Sequence, residues 1–387
     1  MITSRVGVVV SLGRAWSGAQ ELTVDVEGVG PVRSLAYPDL VGPAAPGDTV
    51  VLNTTALDRG LGTGGYALVI TVLSADAGAG GAAAPTAPPA SGPGHLVKAR
   101  YTPLQTMVLG VDEQESPHHE VLREADDLAG LPVVVADLHS ALPAIVAGAR
   151  LDAAQRGAPA PRVVYVMTDG GALPAAFSRT VAGLRDAGWL AACITVGQAY
   201  GGDHEAVTTH TGLLAAATVL DADLVVVAQG PGNLGTGTRW GFSGVSAGEV
   251  INAAAVLGGR PVASLRISGA DPRDRHLGVS HHSLTAYGRV ALRPADVVVP
   301  VLARTPEAFA AGGGDPVALD ARIAEQVSAL AAAGHRLVTV ETSPELLSAL
   351  AASPVGLSTM GRGLAADPAA FLGAAVAGQH AARHIRA

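Results

Sequence analysis

The sequence predicts an α/β protein: a mainly parallel layered sheet with flanking helices, preceded by a small N-terminal β-barrel of OB or SH3 type. Three observations lead there. Residues 1–74 hold short β-like runs split by Gly and Pro, with no helical period. Residues 75–94, ADAGAGGAAAPTAPPASGPG, are a low-complexity stretch with the composition of a linker. From residue 95 to 387, aliphatic runs alternate with Ala-rich segments of helical length, the pattern of parallel strands covered on both faces by right-handed crossover helices.

The barrel strands are expected in RVGVVVSL, ELTVDVEG, PVRSLAY, DTVVLN and YALVITVL, with Pro46-Gly47-Asp48 as a turn feeding the fourth. In the larger domain the strand runs are TMVLGV, PVVVAD, RVVYVMTD, WLAACITVG, DLVVVAQG, PVASLRIS, DVVVPVL and HRLVTVET. Helices are expected in SALPAIVAGARLDAAQ, PAAFSRTVAGLRDAG, HEAVTTHTGLLAAATVL, SAGEVINAAAVLGG and DPVALDARIAEQVSALAAAG. Ser246 with Glu249 reads as a capping box, and Ser116-Pro117 as an N-cap followed by Pro at the first helical position. Near the end of the sequence, His380, Arg383, His384 and Arg386 suit the negative end of a helix dipole, with structural or solvated histidines.

Composition narrows the function. With 49% hydrophobic residues but only 3% aromatics, the core must be built from Ala, Val and Leu. A net charge of -8 and a pI near 5.8 remove the bulk attraction that non-specific nucleic-acid binding uses, so nucleic acid is an unlikely partner. Lys98 is the only lysine, so a P-loop lysine elsewhere is excluded. The single cysteine, Cys193, permits no intrachain disulfide and fits a reducing, cytoplasmic compartment. MITSRVGVVVSLG reads as a strand rather than a signal peptide, and no apolar run reaches the roughly 20 residues of a membrane span.

Ligands of open parallel sheets bind beyond the carboxyl ends of the strands. The segments after the predicted strands are rich in Asp, His and Gly: Asp137-Leu138-His139-Ser140, Thr168-Asp169-Gly170-Gly171, Gly197 to His204, Gln229 to Phe242, and Gly269 to Ser283. Asp137, His139, Asp169, His204 and one of His281 or His282 are the candidate acid/base residues, since imidazole titrates near neutrality. Adjacent helical residues diverge by about 100°, so at most one of His281 and His282 should face the crevice. Asp137 and Asp169 could equally cap helices. A divalent metal could be held by His204, His210 and Asp203, although no close-spaced metal motif is present.

AQGPGNLGTGTRWGF contains a literal G-x-G-x-x-G at Gly230, Gly232 and Gly235. In a dinucleotide fingerprint the helix starts inside the motif; here it is expected near Ser246, about ten residues late. No nicotinamide or P-loop nucleotide signature results. The expectation is instead an anion cradle of exposed backbone amides along Gln229, Gly230, Gly232, Asn233, Gly235, Thr236 and Gly237, with Arg239, Arg273 and Arg275 supplying charge. For Arg273 and Arg275 the competing role is a salt bridge to Asp271 or Asp274.

QGPGNLGTGTRWGFSG followed by RISGADPRDRHLGVSHHSLTA resembles a bacterial family catalogued as domain of unknown function 3866, along nearly the whole chain. The resemblance carries no activity, cofactor or catalytic residue. The residues themselves lead to an enzyme acting by hydrolysis or group transfer on a small anionic, phosphorylated or similar, substrate. The alternatives are a non-catalytic ligand-binding or sensor protein whose barrel contacts a partner, and a nucleic-acid-associated protein. No membrane partner is expected, and a homo-oligomer is compatible with the sequence.

Overall fold

The computed structural model describes residues 2–60, 64–73, 93–102 and 104–386. The predicted linker 75–94 lies almost wholly outside the described residues. Two compact units are present, residues 1–108 and 109–387. The sequence starts its second domain at residue 95, but the hairpin of residues 96–108 falls in the first unit.

The first unit is a closed barrel of β1 (Ser4–Trp16), β2 (Ala19–Val26), β3 (Gly30–Ala36), β4 (Thr49–Asn53) and β5 (Ala67–Leu73), in the order β1-β2-β3-β5-β4, with α1 (Pro38–Val41) after β3. β1 closes the barrel by pairing with both β2 and β4, and β3–β5 is the one parallel pair among these strands. This Greek-key order is that of an OB-type barrel. Strand alternation drives it: Leu22, Val24 and Val26 of β2, with Val50 and Leu52 of β4, point inward and are buried. The run TMVLGV, expected in the parallel sheet, yields only β7 (Thr106–Val108), which pairs antiparallel with β6 (Leu96–Lys98).

In the second unit, α2 (His119–Leu122) precedes β8 (Pro132–Ala136), α3 (Leu142–Gln155), β9 (Val163–Thr168), α4 (Arg179–Asp186), β10 (Ala192–Thr195), β11 (His204–Glu205), α5 (Thr209–Thr218), β12 (Leu224–Gln229), α6 (Ala247–Val256) and β13 (Arg260–Ser264). Then come the short β14 (Ile267–Ser268) and β15 (Gly278–Val279), α7 (His281–Thr285), β16 (Asp296–Val301), α8 (Pro316–Ala332), β17 (Arg336–Glu341), α9 (Pro344–Ala351), β18 (Ser358–Thr359), β19 (Arg362–Gly363) and α10 (Pro368–Ala382). Eight parallel strands run in the order β11-β10-β9-β12-β8-β13-β16-β17. The other seven aliphatic runs lie where the sequence predicts, and Val133, Val134 and Val135 at the centre are fully buried, as strands covered on both faces must be.

The chain leaves β8 toward β9 in one direction along the sheet and returns from β12 to β13 in the other. Right-handed crossovers therefore put α3 and α6 on opposite faces. α3 packs with α9 and α10; α5 and α6 pack together on the far face, where one π-helical turn, Ala286–Val290, meets α6 and α8. The loops leaving β8 and its neighbours β12 and β13 thus part to opposite sides, opening crevices at the carboxyl ends. α3 and α10 approach so closely that a Cβ on Gly148 would lie 1.9 Å from the Ala375 carbonyl oxygen, and one on Gly378 1.9 Å from that of Ile145.

Three local expectations change. Ser246 has helical backbone angles and makes no side-chain cap, because a 3-10 turn over Ser243–Ser246 leads into α6 and its hydroxyl donates to the Ser243 carbonyl. Ser116 does not start a helix with Pro117; its hydroxyl donates to the Val111 carbonyl and accepts from the His118 amide, and α2 begins at His119. The segment from His204 is strand before it is helix: β11 pairs with β10, and Thr208, whose hydroxyl accepts from Thr211, sets the helix start.

Candidate functional site

Two buried tyrosines brace the strand ends where the crevices open. The Tyr287 hydroxyl meets the carbonyls of Val135 in β8 and Ser264 in β13, at 3.0 and 3.1 Å. The Tyr165 hydroxyl meets those of Ala228 and Gln229 at the end of β12, at 3.1 and 2.9 Å. Carbonyls that lose ladder partners as the strands part are satisfied there.

Asp137 follows β8 at the centre of this edge. It is 3% exposed, and its Oδ2 is a buried atom with no hydrogen-bond partner. Burial pushes its carboxyl up to about 6, against the opposing pull of the Arg266 charge. Among the described residues six buried side-chain polar atoms lack partners, and four lie here: Asp137 Oδ2, Gln229 Oε1, Ser264 Oγ and His281 Nε2. Buried polar atoms are almost always paired, so such a concentration marks a place built for another molecule. Gln229 cannot relieve its acceptor by flipping its amide, because Nε2 donates to the Asp137 carbonyl and to Asn233 Oδ1, both at 3.0 Å.

A cleft with about 500 Å³ of empty space, its open mouth included, lies between the ends of β8 and β13 and is lined by Asp137, Ser264, Arg266, Asp271, His276 and Arg362, among others. A smaller space of about 190 Å³ between β8, β9 and β12 shares Asp137 and adds Thr168 and Gln229. One wall is a charge network. Asp271 takes both Arg273 bonds, at 2.9 and 2.8 Å, and a third from Arg362. Those arginines hold its carboxyl well below the usual range. Arg362 also reaches Asp367, which accepts from Ser268 and the Gly269 amide.

Beside the cleft stand three histidines. Ring centroids of His276 and His281 are 5.0 Å apart, those of His276 and His282 5.0 Å, and those of His281 and His282 4.4 Å. The two adjacent histidines therefore both join one cluster. They occupy the first turn of α7, where no preceding turn blocks their rings from leaning together. Phe242, from the segment after β12, stacks flat on His282 at 3.8 Å. Arg266 Nη1 donates to His282 Nδ1 at 3.1 Å, and Arg275 Nε to His276 Nε2 at 3.4 Å. Arginine has no acceptor, so the His276 Nδ1–H donates to Ser280 Oγ at 2.8 Å. Burial first, then the Arg266 charge, lowers His276 to about 4 and His282 to about 3; His281 is lowered by burial and by Arg275. All three are neutral at physiological pH. Arg266 and Arg275 are thus held by uncharged partners and keep their full charge, whereas Arg273 and Arg362 are neutralised by carboxylates.

The other predicted residues lie differently. His139 is buried, with Nδ1 3.0 Å from the Tyr165 hydroxyl and Nε2 2.7 Å from Ser178 Oγ. Tyr165 donates to carbonyls and Ser178 accepts from Val181, so His139 donates at Nδ1 and accepts at Nε2. Burial lowers it to about 4, and its two nitrogens tie β9 to the cap of α4. Asp169 is exposed and accepts from the Gln198 amide at 2.8 Å. Asp203 fastens Arg185 and the Cys193 amide, His204 meets the His118 ring at 5.7 Å, and His210 is exposed on α5. The structure does not gather Asp203, His204 and His210 into a metal-holding group; among the described residues such groups are His276/His281/His282 and Asp296/His380/His384. In the second of these, Asp296 is saturated by His380, Arg260 and Arg336.

The cradle expected in the glycine-rich segment is closed only in part: the Gly230 and Thr236 amides are taken by the Thr168 and Gly241 carbonyls, and among the described residues no backbone bond leaves the amides of Gly232, Asn233, Gly235 or Gly237. The amides of Gly230, Leu234, Thr236, Gly241, Phe242 and Ser243 all have partners, mostly within the segment, where Gly235 and Phe242 form a bridge. Gly230 serves a close approach of loops: a Cβ there would lie 2.3 Å from the Ala172 carbonyl oxygen, and the Ala172 amide donates to Pro231. Gly232 and Gly237 adopt positive φ, and Gly237 faces Arg275, at 3.9 Å from its would-be Cβ. Asn233 orients Gln229, and Arg239 is exposed, with its charge acting on His281.

Ser264, Arg266, His276, Arg362 and Asp367 escape selection by sequence. Arg266 leaves a usable signal, a lone arginine within the apolar run PVASLRIS.

No curated protein and no solved structure matches the chain. A family model described as Protein of unknown function (DUF3866) matches residues 33–378, from the third barrel strand into α10. The match spans the cleft, the histidine cluster and both bracing tyrosines, and the chain belongs to that family.

Proposed function

We propose that the protein is an enzyme acting on a small anionic substrate, with Asp137 as general acid or base. The observation that carries this reading is the buried, unpartnered Asp137 oxygen beside Arg266 at the sheet's topological switch point. A carboxyl raised to about 6 exchanges a proton near neutrality, as acid/base catalysis requires. Arg266 and Arg275, held without neutralisation, supply charge for a phosphoryl or carboxylate group, and the Arg239 charge acts on His281. Gln229 Oε1, Ser264 Oγ and Asp137 Oδ2 favour a substrate that also carries hydroxyl or amino donors. Hydrolysis and group transfer both fit.

The test is a thermal-shift screen with phosphorylated and carboxylated metabolites, then turnover of any hit. Asp137→Asn should abolish turnover while the ligand still binds, and Arg266→Gln should weaken binding. Full turnover in Asp137→Asn would end this reading. A non-catalytic ligand sensor is favoured by one observation: Val6, Val8 and Val10, with Leu12 beyond a β-bulge, are exposed apolar residues of barrel strand β1, suited to a partner. Ligand binding without any product would select it.

A further inference from the structure

We infer that His276, His281 and His282 form a binding site for one first-row divalent transition metal of the zinc or cobalt class. The inference goes beyond the proposed acid/base role of Asp137 and does not depend on it.

Each of the three imidazoles offers a ring nitrogen, and these atoms lie within 4.8 Å of one another. Three nitrogen donors suit zinc, cobalt, nickel or iron, and not magnesium or calcium, which demand oxygen. His281 Nε2 is buried and has no partner, so one ligand nitrogen already stands unused. His276 is prepared as a ligand: its Nδ1–H is fixed on Ser280 Oγ, which turns the Nε2 lone pair outward. Metal-bound histidines are oriented in this way, through the ring nitrogen that does not bind. His282 is clamped by the flat stack on Phe242, and the Ser280 hydroxyl also accepts its amide. One serine therefore organises two of the three ligands. The face bearing His276 opens on the cleft that holds Asp137, leaving a coordination position for water or substrate.

Arginine charge opposes the ion. Arg275 covers His276 Nε2 from 3.4 Å, and Arg266 covers His282 Nδ1 from 3.1 Å. Both side chains are long, and each gives a neutral acceptor a hydrogen bond of modest net value. An entering cation displaces both guanidiniums. Arg266 then turns to the unpartnered Asp137 carboxyl, whose charge already acts on it. Arg275 turns toward the cleft mouth, where an anion bound to the metal would meet it.

The test uses the full chain, stripped with a chelator and titrated with Co²⁺ and Zn²⁺ without any substrate. One equivalent of Co²⁺ should bind with the strong visible absorption of a low-coordinate, nitrogen-ligated ion, and Zn²⁺ should displace it. His281→Ala, at a half-exposed position, should weaken binding at least tenfold with an unchanged circular dichroism spectrum. Ser280→Ala should weaken it about 10–100-fold. Arg275→Ala should tighten it, and His384→Ala, in the other histidine group, should leave it unchanged. No Co²⁺ spectrum, or a spectrum that survives in His281→Ala, overturns the assignment. So does inorganic phosphate binding at the cluster with no metal uptake, which would make this an arginine site alone. Because the readout needs no turnover, a missing activity would refute the acid/base proposal and leave this one standing.

Discussion

Replacing Asp137 with asparagine keeps the side-chain shape and removes the ionisation. The folded carboxyl sits at about 6 where an unburied one sits at 3.8. That difference corresponds to about 3 kcal/mol. The sign follows from which state holds the proton more tightly. The folded state does, so the protonated form contributes its full stability below pH 3.8. Stability is then lost as pH rises toward 6, and the loss is constant above that. A neutral amide in the same place carries no such penalty. Between pH 5 and pH 8, the stability of Asp137→Asn relative to the parent should therefore rise by about 1.5 kcal/mol. Any fixed cost of burying the amide cancels in this comparison. The charged or titratable groups acting on Asp137 hold still across the window: Arg266 stays charged, and Tyr287 stays neutral because burial raises it further. The assay is urea unfolding of both proteins at the two pH values, followed by circular dichroism. A relative stability that does not change with pH would show an ordinary carboxyl at this position, and the acid/base role would fall with it.

Gly148→Ala and Gly378→Ala should each destabilise the second unit by roughly 3 kcal/mol, seen as a lower melting temperature, because each new Cβ meets a backbone oxygen that cannot yield. Ser178→Ala removes both the α4 cap and the donor to His139, and should cost about 1–2 kcal/mol in chemical denaturation without changing ligand or metal binding. Burial alone would raise Asp296, but His380 and Arg336 hydrogen bonds outweigh it and hold the carboxyl below its ordinary range. The stability it confers is complete above about pH 4 and lost as pH falls below, so Asp296→Asn should cost about 3 kcal/mol at pH 7 and progressively less in acid.

The strand framework is legible because burial on both faces leaves an unambiguous mark: PVVVA, VVYVMT and LVVVAQ admit little else. Where tertiary pairing rather than composition decides, sequence and structure part. β11 is two residues long, and nothing in His204-Glu205 announces a strand. Ser246 has the right neighbours for a cap, but the preceding 3-10 turn denies it the extended backbone a cap needs. At the site, Asp137, Gln229 and the adjacent histidines are legible from their place after strands. The glycine-rich segment is half legible, because whether an amide is free depends on partners such as Gly241, whose carbonyl takes the Thr236 amide from the far side of the same loop. Arg362 and Asp367 leave no trace, since they reach the cleft from about a hundred residues further along. The competing salt bridge is correct for Arg273 and not for Arg275, a distinction set by side-chain geometry alone.

The interlocked glycines of α3 and α10 also order events in time. α3 is the first long helix of the second unit to leave the ribosome, and α10 follows every strand of the sheet. Until α10 arrives, α3 displays a notch shaped for a backbone that has not yet been made, and one side of β8 stays uncovered. The second unit therefore makes the first strand of its sheet long before the helix that covers it, and that face closes only when α10 docks.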